Sequence, residues 1–380
     1  MALQSRLRRL LRLVSASAAL LALVALGAAF SVIVRSGQAD PRPELAISDR
    51  PTLVFAEFGL NADEILIAPA EDPNDRTLIQ TVPHASGWGL NPSPQLVNGR
   101  SAYTVLPAGV TPNRNSPAEL WLLDVDTASA TRLARDADLL AAPVLAQDGA
   151  VLAYRRTEGS GAQSLVRVDL ETRTRRVLHT DGSSFGLFPV GFDDDGALLF
   201  TRLTPDGTDL LRVADGSAAE LILHASDEIA RDWSVAPDGD AVAFVAPLLQ
   251  AERIVHQTQV IALGDQPSVE APAASLSGEQ YAPTWRRDGA LAIGREATDT
   301  SGVGPIVVDG ANLSPMAAPS SGFDVPLGWS VVGGYLAVRH FTGSGSQSAG
   351  EETLLVIGPA VSRVVVETTS ELIFLGWIGA

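Results

Sequence analysis

The stretch RDWSVAPDGDAVAFVA, at residues 231–246, carries the pattern that decides the fold of this chain. An apolar segment with an aromatic residue leads through a turn containing Asp-Gly into an apolar strand. The stretch APTWRRDGALAIGR repeats this order at 282–295. Asp-Gly between two apolar runs is a strong β-hairpin signal, because glycine accepts the positive φ angle that such turns require. Both stretches therefore predict the same kind of hairpin.

The same turn recurs along the whole chain. Its copies are VNGR (97–100), QDGA (147–150), DDGA (194–197), PDGD (237–240), RDGA (287–290) and VGGY (332–335). The residue four places before the turn glycine recurs every 43 to 50 residues, at Gln95, Leu145, Phe192, Val235, Trp285 and Trp329, with Trp377 continuing the series. The strand after the turn has one equivalent large residue per copy: Phe55, Tyr103, Tyr154, Phe200, Phe244, Ile293 and Val338. A repeat of this length is typical of β-propeller blades.

A second hairpin follows the first in each repeat, as in ELWLLDVDTASATRLA at 119–134. Four strands per repeat make one propeller blade. The body begins with TLVFAEF (52–58), a second strand without a first, and the chain ends with the orphan first strand LIFLGWI (372–378). Pairing these two strands completes one blade and removes the exposed edges of an open array. We therefore predict an all-β, seven-bladed β-propeller over 51–380, closed by its N- and C-terminal strands.

The predicted blades are 86–134, 141–179, 185–224, 229–272, 279–318, 323–367 and a composite of 51–82 with 371–380. The repeats resemble the TolB-type, WD-like propeller family, whose blades carry a P-W-S-P-D-G-like turn, and 231–246 and 282–295 match it best. The resemblance implies a propeller fold for the body. It implies no partner, because we find no room for the additional α/β domain of TolB. The alternatives are six or eight blades, or a two-sheet sandwich with coincidental spacing.

The segment before the body is a candidate membrane anchor. Residues 13–34, LVSASAALLALVALGAAFSVIV, carry no charge, and as a helix rising about 1.5 Å per residue they would cross a hydrocarbon core of ~30 Å. The four arginines in 1–12 predict a cytoplasmic N-terminus, a single transmembrane helix and a propeller outside the cell membrane. The alternative is a signal peptide cleaved near Asp40, which would release a secreted body. Residues 35–50 are expected to form a linker.

Charge is distributed unevenly along the chain. Residues 1–35 hold five arginines and no acid, whereas the rest holds 22 arginines against 44 acidic residues, and the net charge is −17. An acidic body argues against a nucleic-acid partner, because nucleic-acid binding depends on clustered cations. The chain has no cysteine, which excludes disulfides and thiolate metal sites. We expect a monomer without a cofactor.

Four residues are candidates for ligand contacts on the rim of the ring. His84, His179 and His224 follow equivalent last strands, so they should share one rim as a consequence of the repeat. Converging imidazoles could bind zinc, but blade ends lie far from the axis, so we predict no metal site. Arg114 lies in the polar loop 107–118, and loops on a rigid scaffold are common binding positions.

Other motifs are interpreted as structural. Residues 182–186 match G-x-S-x-G, but no helix follows, so a connecting loop is expected rather than a nucleophile elbow. Asp193, Asp194 and Asp195 precede a turn glycine without the alternate spacing of a calcium loop. The stretches 246–257 and 341–351 are predicted to be long loops. No catalytic residue is assigned.

These observations favour a membrane-anchored, extracytoplasmic propeller that is a non-enzymatic binding or scaffold module for a protein or cell-envelope ligand. The alternative is an exported lyase or glycoside-acting enzyme with its site in the central channel. Two carboxylates about 5–10 Å apart in that channel would favour glycosidase chemistry. A third hypothesis is a sensor coupled to a cytoplasmic effector. The sequence supports it poorly, because only residues 1–12 precede the predicted helix.

Overall fold

A computed structural model describes residues 50–113, 116–158, 160–182, 185–250, 253–264, 266–296, 301–359, 363–368 and 370–379. These residues form 28 strands in seven four-stranded antiparallel sheets. The predicted all-β, seven-bladed β-propeller is thereby confirmed. Among the described residues no helix is long and apolar enough to cross a membrane. Residues 13–34, for which the transmembrane helix is predicted, lie outside the described part of the chain.

Each blade consists of four strands, numbered here along the chain and given from the first to the fourth strand of the sheet. Blade 1 contains β28 (Leu372–Ile378), β1 (Thr52–Glu57), β2 (Ala62–Pro69) and β3 (Thr77–Pro83). Blade 2 contains β4 (Asn91–Pro92), β5 (Arg100–Val105), β6 (Ala118–Asp124) and β7 (Ser129–Ala137). Blade 3 contains β8 (Val144–Leu145), β9 (Val151–Thr157), β10 (Gln163–Asp169) and β11 (Arg175–Asp181).

The remaining four blades have the same order. Blade 4 contains β12 (Gly186–Phe192), β13 (Leu198–Thr204), β14 (Gly207–Val213) and β15 (Glu220–Ser226). Blade 5 contains β16 (Arg231–Val235), β17 (Ala241–Gln250), β18 (Arg253–Ala262) and β19 (Ser268–Glu270). Blade 6 contains β20 (Gln280–Trp285), β21 (Leu291–Arg295), β22 (Ile306–Asp309) and β23 (Asn312–Pro315). Blade 7 contains β24 (Phe323–Trp329), β25 (Leu336–Phe341), β26 (Glu352–Ile357) and β27 (Arg363–Val365).

The two ends of the ring meet in blade 1, as predicted. Strand β28 pairs antiparallel with β1, with Leu53 opposite Trp377 and Phe55 opposite Phe374. A β-bulge interrupts the register beside Val54. The last strand of the chain thus supplies the missing first strand of the first blade, and the ring closes.

One large apolar side chain per blade fills the equivalent place on the second strand. Phe55, Tyr103, Tyr154, Phe200, Phe244, Ile293 and Val338 are all buried. The apolar clusters around them combine residues of neighbouring blades. One cluster, for example, joins Phe55 and Trp377 of blade 1 to Val356 of blade 7. Burial between blades therefore stabilises the ring as a whole.

Three tryptophans link the first strands of successive blades near the axis. The indole N–H of Trp285 donates to the Ser234 carbonyl (3.1 Å), that of Trp329 to Thr284 (3.3 Å) and that of Trp377 to Gly328 (2.9 Å). In each pair the carbonyl belongs to the first strand of the preceding blade. The three repeated tryptophans therefore make the same hydrogen bond between neighbouring blades, in addition to burying apolar surface.

The antiparallel sheets give the ring two faces. The loops between second and third strands and the connections between blades lie on one face, which we call the loop face. The turns within the first and last hairpins of each blade lie on the other, the turn face. The six turn glycines Gly99, Gly149, Gly196, Gly239, Gly289 and Gly333 all have φ between 69° and 86°. The hairpin signal in the sequence therefore marks the turn face.

The predicted loop at 246–257 is instead a β-ribbon, so that prediction was wrong. Strands β17 and β18 continue in register up to Gln250 and Arg253, with Leu249 opposite Ile254. The antiparallel pairing of β17 with β18 continues beyond the body of the blade and makes this segment a hairpin. We call residues 246–250 and 253–257 the ribbon; it lies on the loop face.

Candidate functional site

All five histidines of the chain lie at the loop face. His84 follows β3, His179 and His224 lie near the ends of fourth strands, and His256 and His340 lie near the start of a third and the end of a second strand. Those strand ends share one face because the sheets are antiparallel. The three candidate histidines therefore share a rim, as the repeat predicted, but each belongs to a different blade. Among the described residues no three His, Asp or Glu side chains are grouped as metal ligands.

His84 has a buried imidazole and offers no surface to a ligand. Its Nε2 lies 3.0 Å from Asp63 Oδ1 and its Nδ1 lies 2.8 Å from the Ala85 carbonyl oxygen. Asp63 also accepts hydrogen bonds from the backbone N–H groups of Gly59 (3.1 Å) and Leu90 (2.7 Å). The pair ties the third strand of blade 1 to the connection that leads into blade 2. The His84–Asp63 pair therefore has a structural role.

His224 is the most accessible of the three candidate histidines. Its Nδ1 lies 2.9 Å from Asp209 Oδ1, and its Nε2 lies 3.1 Å from Asp227 Oδ1. Asp209 also accepts a hydrogen bond from Arg202 at 2.8 Å. The hydrogen bond to Asp209 raises the pKa of the His224 imidazole above its ordinary value.

His179 lies in the neighbouring blade in a more apolar environment. Its ring contacts the Phe200 ring, with centroids 5.3 Å apart. Burial lowers the pKa of the His179 imidazole, and the nearby Arg202 acts in the same direction while Asp181 opposes it. Two histidines from equivalent repeats therefore have opposite electrostatic surroundings.

We expect the two imidazoles to titrate on opposite sides of the ordinary histidine pKa of 6.5. His224 should contribute stability that is fully present below that pH and is lost as the pH rises through its own higher pKa. His179 should disfavour folding as the pH falls below 6.5 towards its own lower pKa. NMR titration of the imidazole resonances measures both values. In Asp209→Asn the His224 value should fall while that of His179 stays; the reverse order of the two pKa values would contradict the assignment.

The ribbon is attached to blade 6 through its own backbone. Glu279 accepts hydrogen bonds from His256 N–H (2.9 Å) and lies 2.6 Å from His256 Nδ1. The buried Gln280 accepts from Thr258 N–H at 2.8 Å and donates to the Ala273 carbonyl at 3.0 Å. These side chains satisfy edge donors of β18 that β19 does not reach. The base of the ribbon is therefore held against blade 6.

Charged residues on the described first strands, which surround the axis, are already paired. Asp232, in the left-handed region with φ 57°, contacts Arg231 and accepts from Ala282 N–H at 3.1 Å. Asp324 is buried and lies 2.9 Å from His340 Nδ1 and 2.7 Å from Arg363 Nη1. These contacts hold strands together, which is the ordinary function of such pairs.

Two sequence candidates lie outside the described residues. These are Arg114, the remaining rim candidate, and Ser184, the serine of the G-x-S-x-G string. The described residues on either side place the string in the connection from β11 to β12, and a strand rather than a helix follows it.

Exposed apolar side chains are concentrated on the loop face. The seven most exposed large apolar side chains of the described residues have exposed fractions of 59–77%. Six of them lie on the loop face, and we call these the apolar tips: Leu60, Leu140, Phe185, Ile229, Leu249 and Ile254. The seventh, Val332, lies on the turn face. The sequence analysis missed the apolar tips, because a single apolar residue in a loop has no periodicity.

No family model and no curated protein sequence matches the chain. Solved structures do resemble it, at low identity. The β-propeller domain of the Trilobed protease from Pyrococcus furiosus has 12% identity and a TM-score of 0.55, with 84% of this chain and 95% of that one covered. Oligogalacturonate lyase from Vibrio parahaemolyticus has 15% identity and a TM-score of 0.50, with coverages of 82% and 92%. TolB from Acinetobacter baumannii has 13% identity, a TM-score of 0.49 and coverages of 86% and 66%.

At these identities the similarity establishes the fold alone. The expected β-propeller fold is met at that level by the Pyrococcus furiosus domain. The Pyrococcus furiosus propeller is described as having an open velcro topology, whereas β28 closes the present ring. One fold supports many different functions, so the propeller fold does not decide between binding and catalysis.

Proposed function

We propose that this protein is a membrane-anchored, extracytoplasmic β-propeller that acts as a non-enzymatic binding or scaffold module for a protein or cell-envelope ligand. The observation that carries the proposal is the concentration of apolar tips on one face. Exposed apolar side chains lose unfavourable hydration when a partner covers them. Rigid blades below the loops hold these side chains in place, which lowers the entropy lost on binding.

The position at which the chain enters the ring is compatible with this arrangement. Strand β1 begins at Thr52 on the turn face, opposite the apolar tips.

Photo-crosslinking in intact cells tests the binding role. A benzophenone amino acid placed at Leu140 or Phe185 should form a covalent adduct with a ligand, because both positions project from the loop face. The matched control is the same amino acid at Val332, which is equally exposed on the turn face. Adducts that form at Val332 as readily as at Leu140, or at neither site, would contradict the proposal.

Cell fractionation tests the anchor. The full chain should sediment with membranes, and protease added from outside should release the propeller by cutting within 35–50. A chain truncated before residue 35 should be soluble. A soluble mature protein that begins near Asp40 would instead establish the signal-peptide alternative and a secreted propeller.

A further inference from the structure

The loop face combines exposed apolar side chains with negative charge. Its described loops and connections contain ten carboxylates and no arginine. These carboxylates are Asp138, Glu158, Asp206, Asp227, Glu228, Glu279, Glu296, Glu351, Glu367 and Glu371. The chain has no lysine that could offset them. The described loops and connections of this face therefore carry negative formal charge, while the exposed Arg253 on β18 places one positive charge beside the apolar tip Ile254.

Some of these carboxylates are neutralised by arginines at neighbouring strand ends. Arg155 lies 3.1 Å from Asp138, and Arg156 pairs with Glu158. Other carboxylates remain exposed to solvent, among them Asp206 and Glu228. Glu228 is adjacent to the apolar tip Ile229. Apolar tips and carboxylates thus share two connections of this face, 138–143 and 227–230.

Resting on the function proposed above, we infer that the loop face binds a protein segment that carries apolar and basic side chains together. Apolar groups of such a segment would cover the apolar tips, and its lysines or arginines would meet the exposed carboxylates. Electrostatic complementarity of this kind increases the association rate and selects against acidic partners. An anionic lipid surface is disfavoured, because it would be repelled by the same carboxylates.

The ribbon carries the most exposed apolar side chain of this surface. Leu249 is the most exposed large apolar side chain among the described residues, and Ile254 is its cross-strand neighbour. The contacts of Glu279 and Gln280 hold the base of the ribbon against blade 6. An exposed apolar pair on a supported hairpin is suited to contact the apolar side chains of a partner.

The test uses the full chain in nanodiscs and two labelled amphipathic peptides of about 14 residues with a helical apolar period. One peptide has Leu and Lys, and its control has Leu and Glu at the same positions. Fluorescence anisotropy should show binding of the Leu/Lys peptide at least about tenfold tighter than that of the control, and weaker binding from about 50 to about 500 mM NaCl.

Variants then locate the contact. Leu249→Ser with Ile254→Ser should weaken binding of the Leu/Lys peptide about fivefold or more, and Asp227→Asn with Glu228→Gln should remove most of its salt dependence. Val332→Ser and Asp238→Asn, on the turn face, are the matched controls and should change neither. All six positions are exposed, and unchanged melting temperatures would show that the variants fold.

Three results would overturn the inference. These are equal binding of both peptides, equal loss of binding in loop-face and turn-face variants, and co-flotation of the nanodisc-held protein with phosphatidylcholine vesicles that Leu249→Ser abolishes. The last result would assign the loop face to a lipid surface. If crosslinks form at Leu140 while the peptides fail, the function proposed above stands and only the basic character of the partner is refuted.

Discussion

Trp377→Ala is expected to lower the free energy of unfolding by about 3–5 kcal/mol, as is usual when a large buried aromatic side chain is removed. The Trp377 side chain is buried where β28 pairs with β1, and its ring meets Phe374 edge-on. Its indole N–H also donates to the Gly328 carbonyl of blade 7. The substitution therefore removes packing within blade 1, which closes the ring, and a hydrogen bond to blade 7. Denaturant unfolding followed by circular dichroism measures the change.

Two further variants separate these contributions. Trp377→Phe keeps an aromatic ring but lacks the donor to Gly328, so its effect should be smaller, about 1–2 kcal/mol. Trp88→Ala removes a tryptophan that is 43% exposed and should cost much less than Trp377→Ala. If Trp377→Ala and Trp88→Ala unfold at the same denaturant concentration, Trp377 does not stabilise the closure of the ring.

Asp63→Ala should produce a loss of similar size, about 3–5 kcal/mol. The Asp63 carboxylate is fully buried and accepts from His84 and from the backbone N–H groups of Gly59 and Leu90. Alanine would leave these three donors buried without their acceptor. The connection from blade 1 to blade 2 would lose its anchor, and the apolar tip Leu60, adjacent to Gly59, would lose its support.

Control variants distinguish this effect from the loss of a charge alone. Asp63→Asn keeps one carbonyl acceptor and should be less destabilising than Asp63→Ala. Asp206→Ala removes an exposed carboxylate from another loop of the same face and should leave stability within about 0.5 kcal/mol of the original protein. Hydrogen exchange at Leu90 N–H should be faster in Asp63→Ala. Unchanged exchange at that amide would show that Asp63 does not hold the connection.

The ring was predictable because its signals are local and repeated. Asp-Gly turns, one large residue per second strand and a repeat of 43 to 50 residues each reflect short-range geometry. Closure was also predictable, since a body that begins with a second strand and ends with a first strand leaves two unpaired edges. The ribbon was predicted incorrectly as a loop, because APLLQAERIVHQ at 246–257 lacks the alternation of apolar and polar residues that marks a strand, and only its cross-strand pairing shows the hairpin.

The candidate site was much less predictable. The three histidines were placed on the correct rim, yet their repeat positions could not show that His84 is buried against Asp63 while His224 is exposed. That difference depends on residues far away in the sequence. The apolar tips carry no sequence signal, because five separate loops contribute only one or two of them each.

Local sequence alone thus determined the strands, the turns and the number of blades, since hairpin geometry depends on neighbouring residues. Tertiary structure alone decided which carbonyl each repeated tryptophan meets, which histidine is buried, and that six apolar loop residues share one face. These properties arise when blades distant in the chain are packed around a common axis. That packing, which no single repeat encodes, sets the exposure of each side chain and the groups that it contacts.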